Sequence, residues 1–154
     1  MFLLRLFTLF FTCVLSANAI TLTQTVPSDV LFDLTMVAPT NAGDYFANAH
    51  TSPVNSTLLS IADIGNGKKW TVYAKLSQNI PGIKVRIIRT GNGIGKKIPQ
   101  GNTANKILNT NLRKLFDGQG SILNIPMQTE IYGIGVSDGH GLFTSDIEFI
   151  VETH

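Results

Sequence analysis

Apolar side chains alternate with polar ones in short runs along most of this chain, and turn-forming residues separate the runs. The most regular run is Ile20–Val26, in which threonine occupies every second position. The other positions of this run are Ile20, Leu22, Gln24 and Val26. A period of two places alternate side chains on opposite faces of a β-strand, so the run predicts a strand with one mainly apolar face. Pro27 ends it, because proline lacks the N–H group that a sheet ladder needs.

Similar runs predict further strands in the rest of the chain. They are Val30–Ala38, Leu58–Ile64, Trp70–Leu76, Ile83–Ile88, Ser121–Pro126, Gln128–Val136 and Phe143–Thr153. In the last of them, Ile147, Phe149 and Val151 share one face. Pro39–Pro53 is polar and contains glycine and asparagine, so we expect a loop there. About seven strands, separated by turns roughly every ten residues, indicate an all-β sandwich.

One segment is consistent with either a helix or a strand. In Thr103–Phe116, three large apolar residues follow one another at a spacing of four, which suits one face of a helix. Thr103 is a suitable N-cap, and Gly118 is a suitable terminator. Ile107–Leu115 also fits an extended strand with a bend. The sequence leaves both structures open.

The first nineteen residues have the three parts of a secretory signal peptide. Arg5 gives a positively charged start, Leu6–Leu15 is an apolar stretch, and Ala17-Asn18-Ala19 places small residues where a signal peptidase reads. The apolar stretch is shorter than the about 20 residues that span a bilayer. We therefore expect secretion, removal of residues 1–19, and a mature chain without a transmembrane segment.

The mature chain is expected to fold without a disulfide. Cys13 is the only cysteine, and it lies within the signal peptide. Removing 19 residues from 154 leaves 135, which is enough for one domain with its own core. Without Arg5, 11 basic residues stand against 10 acidic ones. This balance lacks the clustered basic excess of a protein that binds nucleic acid.

The sequence lacks the motifs of common catalytic and metal sites. The three histidines have no metal-ligand spacing, and no G-x-S-x-G motif is present. Gly91–Lys97 is similar to a phosphate-binding loop, but Thr90 stands where the first glycine is needed and Lys97 where Ser or Thr is needed. We expect a flexible hairpin end there, and a protein that is not an enzyme and holds no cofactor or metal.

Five basic residues gather around the strand at 83–88 and the glycine-rich segment after it. They are Lys84, Arg86, Arg89, Lys96 and Lys97. Lys84 and Arg86 share a strand face, so they predict a small basic patch. Such a patch has two interpretations. It is a solvated sheet face, or a sheet edge whose charges prevent aggregation, or it binds a receptor or an anionic glycan.

The two ends of the predicted domain resemble the pilins of bacterial chaperone–usher fibres, of the alpha-class, colonisation-factor type. The run Ile20–Thr23, followed by Pro27 and by Val30–Leu34, is similar to the mature start of those pilins. Gly141–Thr144 together with Ile147–Val151 resembles their last strand. The lack of a disulfide agrees with that class, whereas the middle of the chain is similar only in its strand pattern.

The resemblance implies an immunoglobulin-like β-sandwich that lacks its final strand and is completed by a strand from a neighbouring subunit. Residues 20–27 would be the donor-strand extension, and residues 28–154 would be the domain. The donated face would consist of Ile20, Leu22, Gln24 and Val26, and the groove would be lined by Ile147, Phe149 and Val151. The implied partners are other pilin subunits, a periplasmic chaperone and an outer-membrane usher. The implied location is a cell-surface fimbria, reached through the periplasm.

Ile20–Val26 is also consistent with the first strand of a complete sandwich. The chain would then be a self-contained secreted domain that recognises a carbohydrate or a host surface. Trp70, Tyr73 or Tyr132 could stack on a sugar in such a domain, although their alternating positions also suit the core or a sheet face.

We predict that the exported protein begins at Ile20, because an A-x-A site directly follows the apolar stretch. Intact-mass measurement of secreted protein should give a chain from Ile20 to His154. A mature form that retains Cys13 would contradict both the cleavage site and the expectation of a chain without thiols.

Overall fold

A computed structural model describes residues 20–25, 32, 49–65, 67–95, 106–134 and 144–154. This part of the chain contains ten β-strands and no helix. The strands β1 to β10 are, in order, Thr21–Thr25, His50–Thr51, Thr57–Ala62, Lys69–Leu76, Lys84–Arg89, Ile94–Gly95, Lys106–Leu108, Arg113–Gln119, Ile122–Tyr132 and Ile147–Thr153. The prediction of an all-β protein is confirmed.

The strands form two antiparallel sheets. In the larger sheet the order is β1-β3-β9-β5-β7, and the short strands β2 and β6 also pair with β9. The smaller sheet has the order β10-β4-β8. One apolar core draws side chains from both sheets, which is the arrangement of a β-sandwich. β9 organises the larger sheet, because four other described strands pair with it.

The core consists of the inward-facing side chains that alternation predicts. The buried residues of this kind in β4 are Trp70, Val72, Ala74 and Leu76. The indole of Trp70 packs edge-on against Phe116, with ring centroids 6.2 Å apart. Its Nε1 donates to the carbonyl oxygen of Gly120 at 2.8 Å. Burying one large apolar side chain contributes about 1.5–3 kcal/mol, so β4 anchors the smaller sheet in the core.

β9 is one strand, whereas the sequence predicts two strands that meet near Pro126. Pro126 lies within β9, opposite Leu58 of β3. Its carbonyl oxygen accepts a hydrogen bond from the backbone N–H of Thr90 at 2.9 Å. The edge of β9 at Pro126 therefore faces the gap in the ladder between the end of β5 and the start of β6. A proline fits there because the N–H that it lacks would point into the gap and not into a ladder.

The segment that the sequence leaves open between helix and strand is extended. β7 covers 106–108 and β8 covers 113–119, while 103–105 lie outside the described residues. Between the two strands, the backbone N–H of Asn111 donates to Oδ1 of Asn109 at 2.9 Å. This local bond closes a turn and competes with a helix. Leu112, which a helix would place on its apolar face, is 46% exposed.

Two segments that the sequence predicts as a loop and a flexible hairpin end pair with β9 instead. His50–Thr51 forms β2, and Ile94–Gly95 of the glycine-rich segment forms β6. Gly93 has a φ of +71°, and a Cβ there would lie 2.6 Å from the carbonyl oxygen of Leu123. The glycine therefore allows the chain to approach β9 closely.

Part of the predicted pattern lies outside the described residues. This holds for Val26, Pro27, Lys96, Lys97 and most of the segment 30–48. Phe32, the described residue of the run at 30–38, has its side chain buried in the core.

Gly118→Ala should lower the free energy of unfolding by about 1–3 kcal/mol. A Cβ at Gly118 would overlap the indole ring of Trp70, which would have to leave its position against Phe116. Urea titration measures the change. Gly65→Ala is the matched control, because nothing lies within 4 Å of a Cβ at Gly65, and equal losses in the two variants would contradict this packing.

Candidate functional site

The sandwich is closed along one side. There, β7 of the larger sheet lies against β4 and β8 of the smaller sheet, and the backbone N–H of Leu76 donates to the carbonyl oxygen of Asn109 at 2.8 Å. β1 and β10 are the edge strands at the opposite ends of the two sheet orders. Among the described strands, none joins β1 to β10, and we call these two edge strands, with the core-facing side chains beneath them, the open side.

β10 is paired along one of its edges. Its residues pair with β4, from Ile147 opposite Leu76 to Thr153 opposite Trp70. In the part of the chain that the structure describes, no strand pairs with the outer edge of β10. An edge of this length presents a row of backbone N–H and C=O groups to whatever lies beside it.

The core-facing side chains of β10 are less covered than those of β4. Ala74 and Val72, which lie opposite Phe149 and Val151, are 0% exposed. Ile147 is also buried, but Phe149 and Val151 pack against the core and are only partly buried. The structure therefore brings the three predicted groove residues together on one face. Two of them keep apolar surface that an added strand would cover.

β1 lies on β3 of the same chain. Thr21–Thr25 pair in antiparallel register with Leu58–Ala62. The partly buried members of the predicted donor face are Ile20, Leu22 and Gln24. Thr23 and Thr25, on the opposite face, are exposed. The strand has the two predicted faces, and it occupies an edge of its own sheet.

Lys84 and Arg86 lie together on the outer face of the larger sheet. Lys84 Nζ is 5.7 Å and Arg86 Cζ is 4.2 Å from the ring centroid of Tyr132. Arg86 Nη2 also donates to Oε1 of Glu130 at 2.8 Å, and the side chain of that glutamate is 9% exposed. The carboxylate neutralises Arg86, so this group keeps the single positive charge of Lys84.

Arg89 does not join this patch, contrary to the prediction. It has the opposite parity on β5 and is 6% exposed, with its guanidinium 5.5 Å from the ring centroid of Phe116. Its Nη1 donates to Oδ1 of Asn92 at 2.6 Å and to the carbonyl oxygen of Gly91 at 3.1 Å. Burial lowers the pKa of Arg89. The side chain thus fastens the glycine-rich segment to the core.

The aromatic residues that could stack on a sugar differ in exposure. Trp70 is 0% exposed, so no ligand can reach it in this structure. Tyr73 is partly covered on the smaller sheet, where it lies opposite Ile150 and Lys114. Tyr132 is partly covered and lies beneath the two cations on the larger sheet.

A charged group on the smaller sheet joins β8 to β4. Asp117 accepts a hydrogen bond from Thr71 Oγ1 at 2.6 Å and pairs with Lys114 Nζ at 2.8 Å. Burial alone would raise the pKa of Asp117, but the hydrogen bonds from Lys114 and Thr71 and the charge of Lys114 bring the pKa below its ordinary value. The hydrogen bond with Asp117 raises the pKa of Lys114. Because the pKa of Asp117 is lowered on folding, its stabilising contribution is present above the unfolded-state pKa and is lost as the pH falls through the folded-state pKa.

The described residues contain no group of three or more His, Cys, Asp or Glu side chains that could hold a metal ion. Nor does any helix in the described ranges have the length and apolar character needed to cross a membrane.

Comparisons of the chain with protein-family models, with curated proteins and with solved structures gave no match.

Sequence reasoning missed Glu130 as the partner of Arg86. The two residues lie on β9 and β5, directly opposite each other in the ladder. In the sequence, Glu130 alternates with Gln128 and Tyr132, which places it on the same face of the predicted strand as those two residues. Alternation shows which face a residue lies on, whereas its partner on the neighbouring strand follows only from the register between the strands.

Arg86→Leu should lower the free energy of unfolding by about 3 kcal/mol, because it leaves a mostly buried carboxylate at Glu130 without its cation. Guanidinium titration at neutral pH measures the loss. Lys84→Leu is the matched control, since Lys84 is exposed over the same ring, and it should change the value by about 0.5 kcal/mol or less. Equal effects of the two substitutions would contradict a structural role for the Arg86–Glu130 pair.

Proposed function

We propose that this chain is a structural subunit of a bacterial surface fibre, a fimbria or pilus, and that it polymerises by donor-strand exchange. The observation that carries the proposal is the outer edge of β10, with which no strand pairs in the described ranges. Beneath that edge lie two partly buried core side chains, Phe149 and Val151. An edge of this kind is a template for an added strand, whose alternate side chains enter the groove.

The order of the strands supports an immunoglobulin-like assignment. In that fold, one sheet has the order A-B-E-D and the other contains C, F and G. The strands β1-β3-β9-β5 correspond to A-B-E-D, and β4 and β10 correspond to C and F. The place beyond β10 is then that of strand G, which a neighbouring subunit would supply.

The N-terminal strand has the properties of a donor for that place. Ile20–Val26 contains no charged side chain, so its insertion into the groove does not bury a side-chain charge. Its donated face would cover Phe149 and Val151 while its backbone pairs with the outer edge of β10. Each ladder hydrogen bond contributes about 1 kcal/mol, and each large apolar side chain that becomes buried adds about 1.5–3 kcal/mol.

Exchange moves β1 from its own sheet to the sheet of a neighbour. Each subunit donates its N-terminal strand and receives that of another, so the chains grow head to tail and have no closed symmetry. A periplasmic chaperone would cover the edge of β10 before assembly, and an outer-membrane usher would export the growing fibre. Residues 1–19 would direct the subunit into this route.

A self-contained secreted binding domain is the second candidate function. The pairing of β1 with β3 of the same chain favours it, because the larger sheet then has its own first strand. Tyr132, with Lys84 above its ring, offers such a domain a surface for a carbohydrate or an anionic group. A binding domain stays monomeric, so variants of β1 separate the two functions.

Leu22→Asp should abolish chain growth from the variant subunit. The substitution places a carboxylate in the apolar groove of the neighbour, at a cost of several kcal/mol for an unpaired ion (about 3–5 kcal/mol). The subunit should still fold when a chaperone or an added strand peptide fills its own groove. Thr23→Asp is the matched control, because Thr23 is exposed on the opposite face of β1. Size-exclusion chromatography measures chain growth, and equal chain growth of the Leu22→Asp and Thr23→Asp variants would contradict donor-strand exchange.

A second arm of this experiment adds the missing strand. A copy of Ile20–Val26, joined to the C-terminus by a short flexible linker, should fill the groove of its own chain and raise the melting temperature of the resulting monomer. A copy that carries Leu22→Asp is the control. An unmodified domain that stays monomeric and melts at the same temperature with or without the copy would rule out donor-strand exchange.

A further inference from the structure

The N-terminal strand has two places that it cannot occupy together. In the described chain, Ile20 and Leu22 pack against the core of their own domain, and the strand pairs with β3 over five residues. Donor-strand exchange needs the same face of the same strand in the groove of a neighbour. A subunit whose β1 lies on β3 is therefore unable to donate until β1 leaves.

One side-chain hydrogen bond holds the start of β1 on its own domain. Thr21 Oγ1 donates to Oδ2 of Asp63 at 2.7 Å. The acceptor is a carboxylate, and hydrogen bonds to charged groups are stronger than those between neutral groups. Thr23 and Thr25 lie on the exposed face of the strand, so Thr21 differs from the other two threonines in what it contacts.

The backbone at Asp63 is arranged to present this carboxylate. Asp63 directly follows β3 and has a φ of +59°, a left-handed conformation that aspartate adopts more readily than most residues. Its neighbours Ile61 and Ile64 are buried in the core, which fixes the position of the turn. The carboxylate is thus held beside the first residue of β1 by the end of the strand with which β1 pairs.

We infer that Thr21 and Asp63 form a latch that retains the donor strand on its own subunit and slows strand exchange until a neighbour's groove is offered, a role that rests on the proposed function. The latch acts on the rate at which β1 becomes available. It leaves the groove at β10 unchanged, so a latched subunit is an acceptor before it is a donor.

The test compares variants of the exported protein by hydrogen–deuterium exchange of the backbone amides in residues 21–25. Thr21→Val removes the donor and keeps a β-branched side chain, and Asp63→Gly removes the acceptor and still allows the left-handed turn. Both should speed amide exchange and chain growth about three- to tenfold, as expected for the loss of one hydrogen bond. Thr23→Val is the matched control and should stay within about twofold of the parent protein. Asp63→Asn keeps a neutral acceptor oxygen and tolerates the turn, so its exchange rates should lie between those of the parent protein and of Asp63→Gly.

A disulfide variant tests whether β1 must leave its own domain before chains grow. Thr23 and Ser60 are register partners across β1 and β3, so cysteines at both positions are within reach of a disulfide. The oxidised double variant should accept an added strand peptide but fail to extend chains, and dithiothreitol should restore extension. Ser60→Cys alone controls for the loss of the hydrogen bond between Ser60 and the backbone of Asn124.

The outcomes separate the two claims. If chains grow but Thr21→Val and Thr23→Val have equal effects on amide exchange, the latch is overturned and donor-strand exchange stands. If neither the parent protein nor the reduced disulfide variant forms chains or binds the strand peptide, the proposed function fails, whatever the amide exchange of β1 shows.

Discussion

Backbone groups at the edge of a sheet can pair with another strand, and the proposed assembly depends on this property of β10. β10 is fixed along one edge by β4, whose core-facing side chains are buried. Its outer edge has no partner strand in the described residues, and Phe149 and Val151 beneath that edge are only partly buried. Added backbone pairing and added apolar burial would thus come from a single inserted strand.

The two edge strands of the open side differ from the centre of the fold in how firmly they are held. The four core-facing side chains of β4 are at most 3% exposed, and β4 pairs with a neighbouring strand along each of its edges. Among the described strands, β1 pairs with β3 alone, and Leu22 and the preceding Ile20 are only partly buried. Elements with few buried contacts open at lower free energy than the core does. In the proposed assembly, a strand held this weakly would exchange readily, and the Thr21–Asp63 hydrogen bond would slow its release.

Local alternation allowed much of the fold to be predicted from the sequence. The strands at 69–76, 84–89 and 147–153 follow from a period of two, because inward and outward positions depend only on neighbours along the chain. β9 across Pro126 and the extended segment at 106–119 could not be predicted as firmly. Strand β9 can include Pro126 because that proline faces the segment between β5 and β6. The extended form of 106–119 depends on a turn that the side chain of Asn109 closes. The shared face of Ile147, Phe149 and Val151 was predictable from alternation. That no described strand pairs with the outer edge of β10 follows from the order of the strands in the sheet, which alternation does not reveal.

Amide hydrogen exchange of β10 tests the donor-strand completion most directly. The measurement compares Ile147–Thr153 in the isolated exported subunit and in assembled chains. Completion by a donated strand predicts that the amides directed away from β4 exchange rapidly in the subunit and about 100-fold or more slowly in the chains. Amides with the same protection in both states, or an outer edge that is already protected in the isolated subunit, would contradict the proposed assembly.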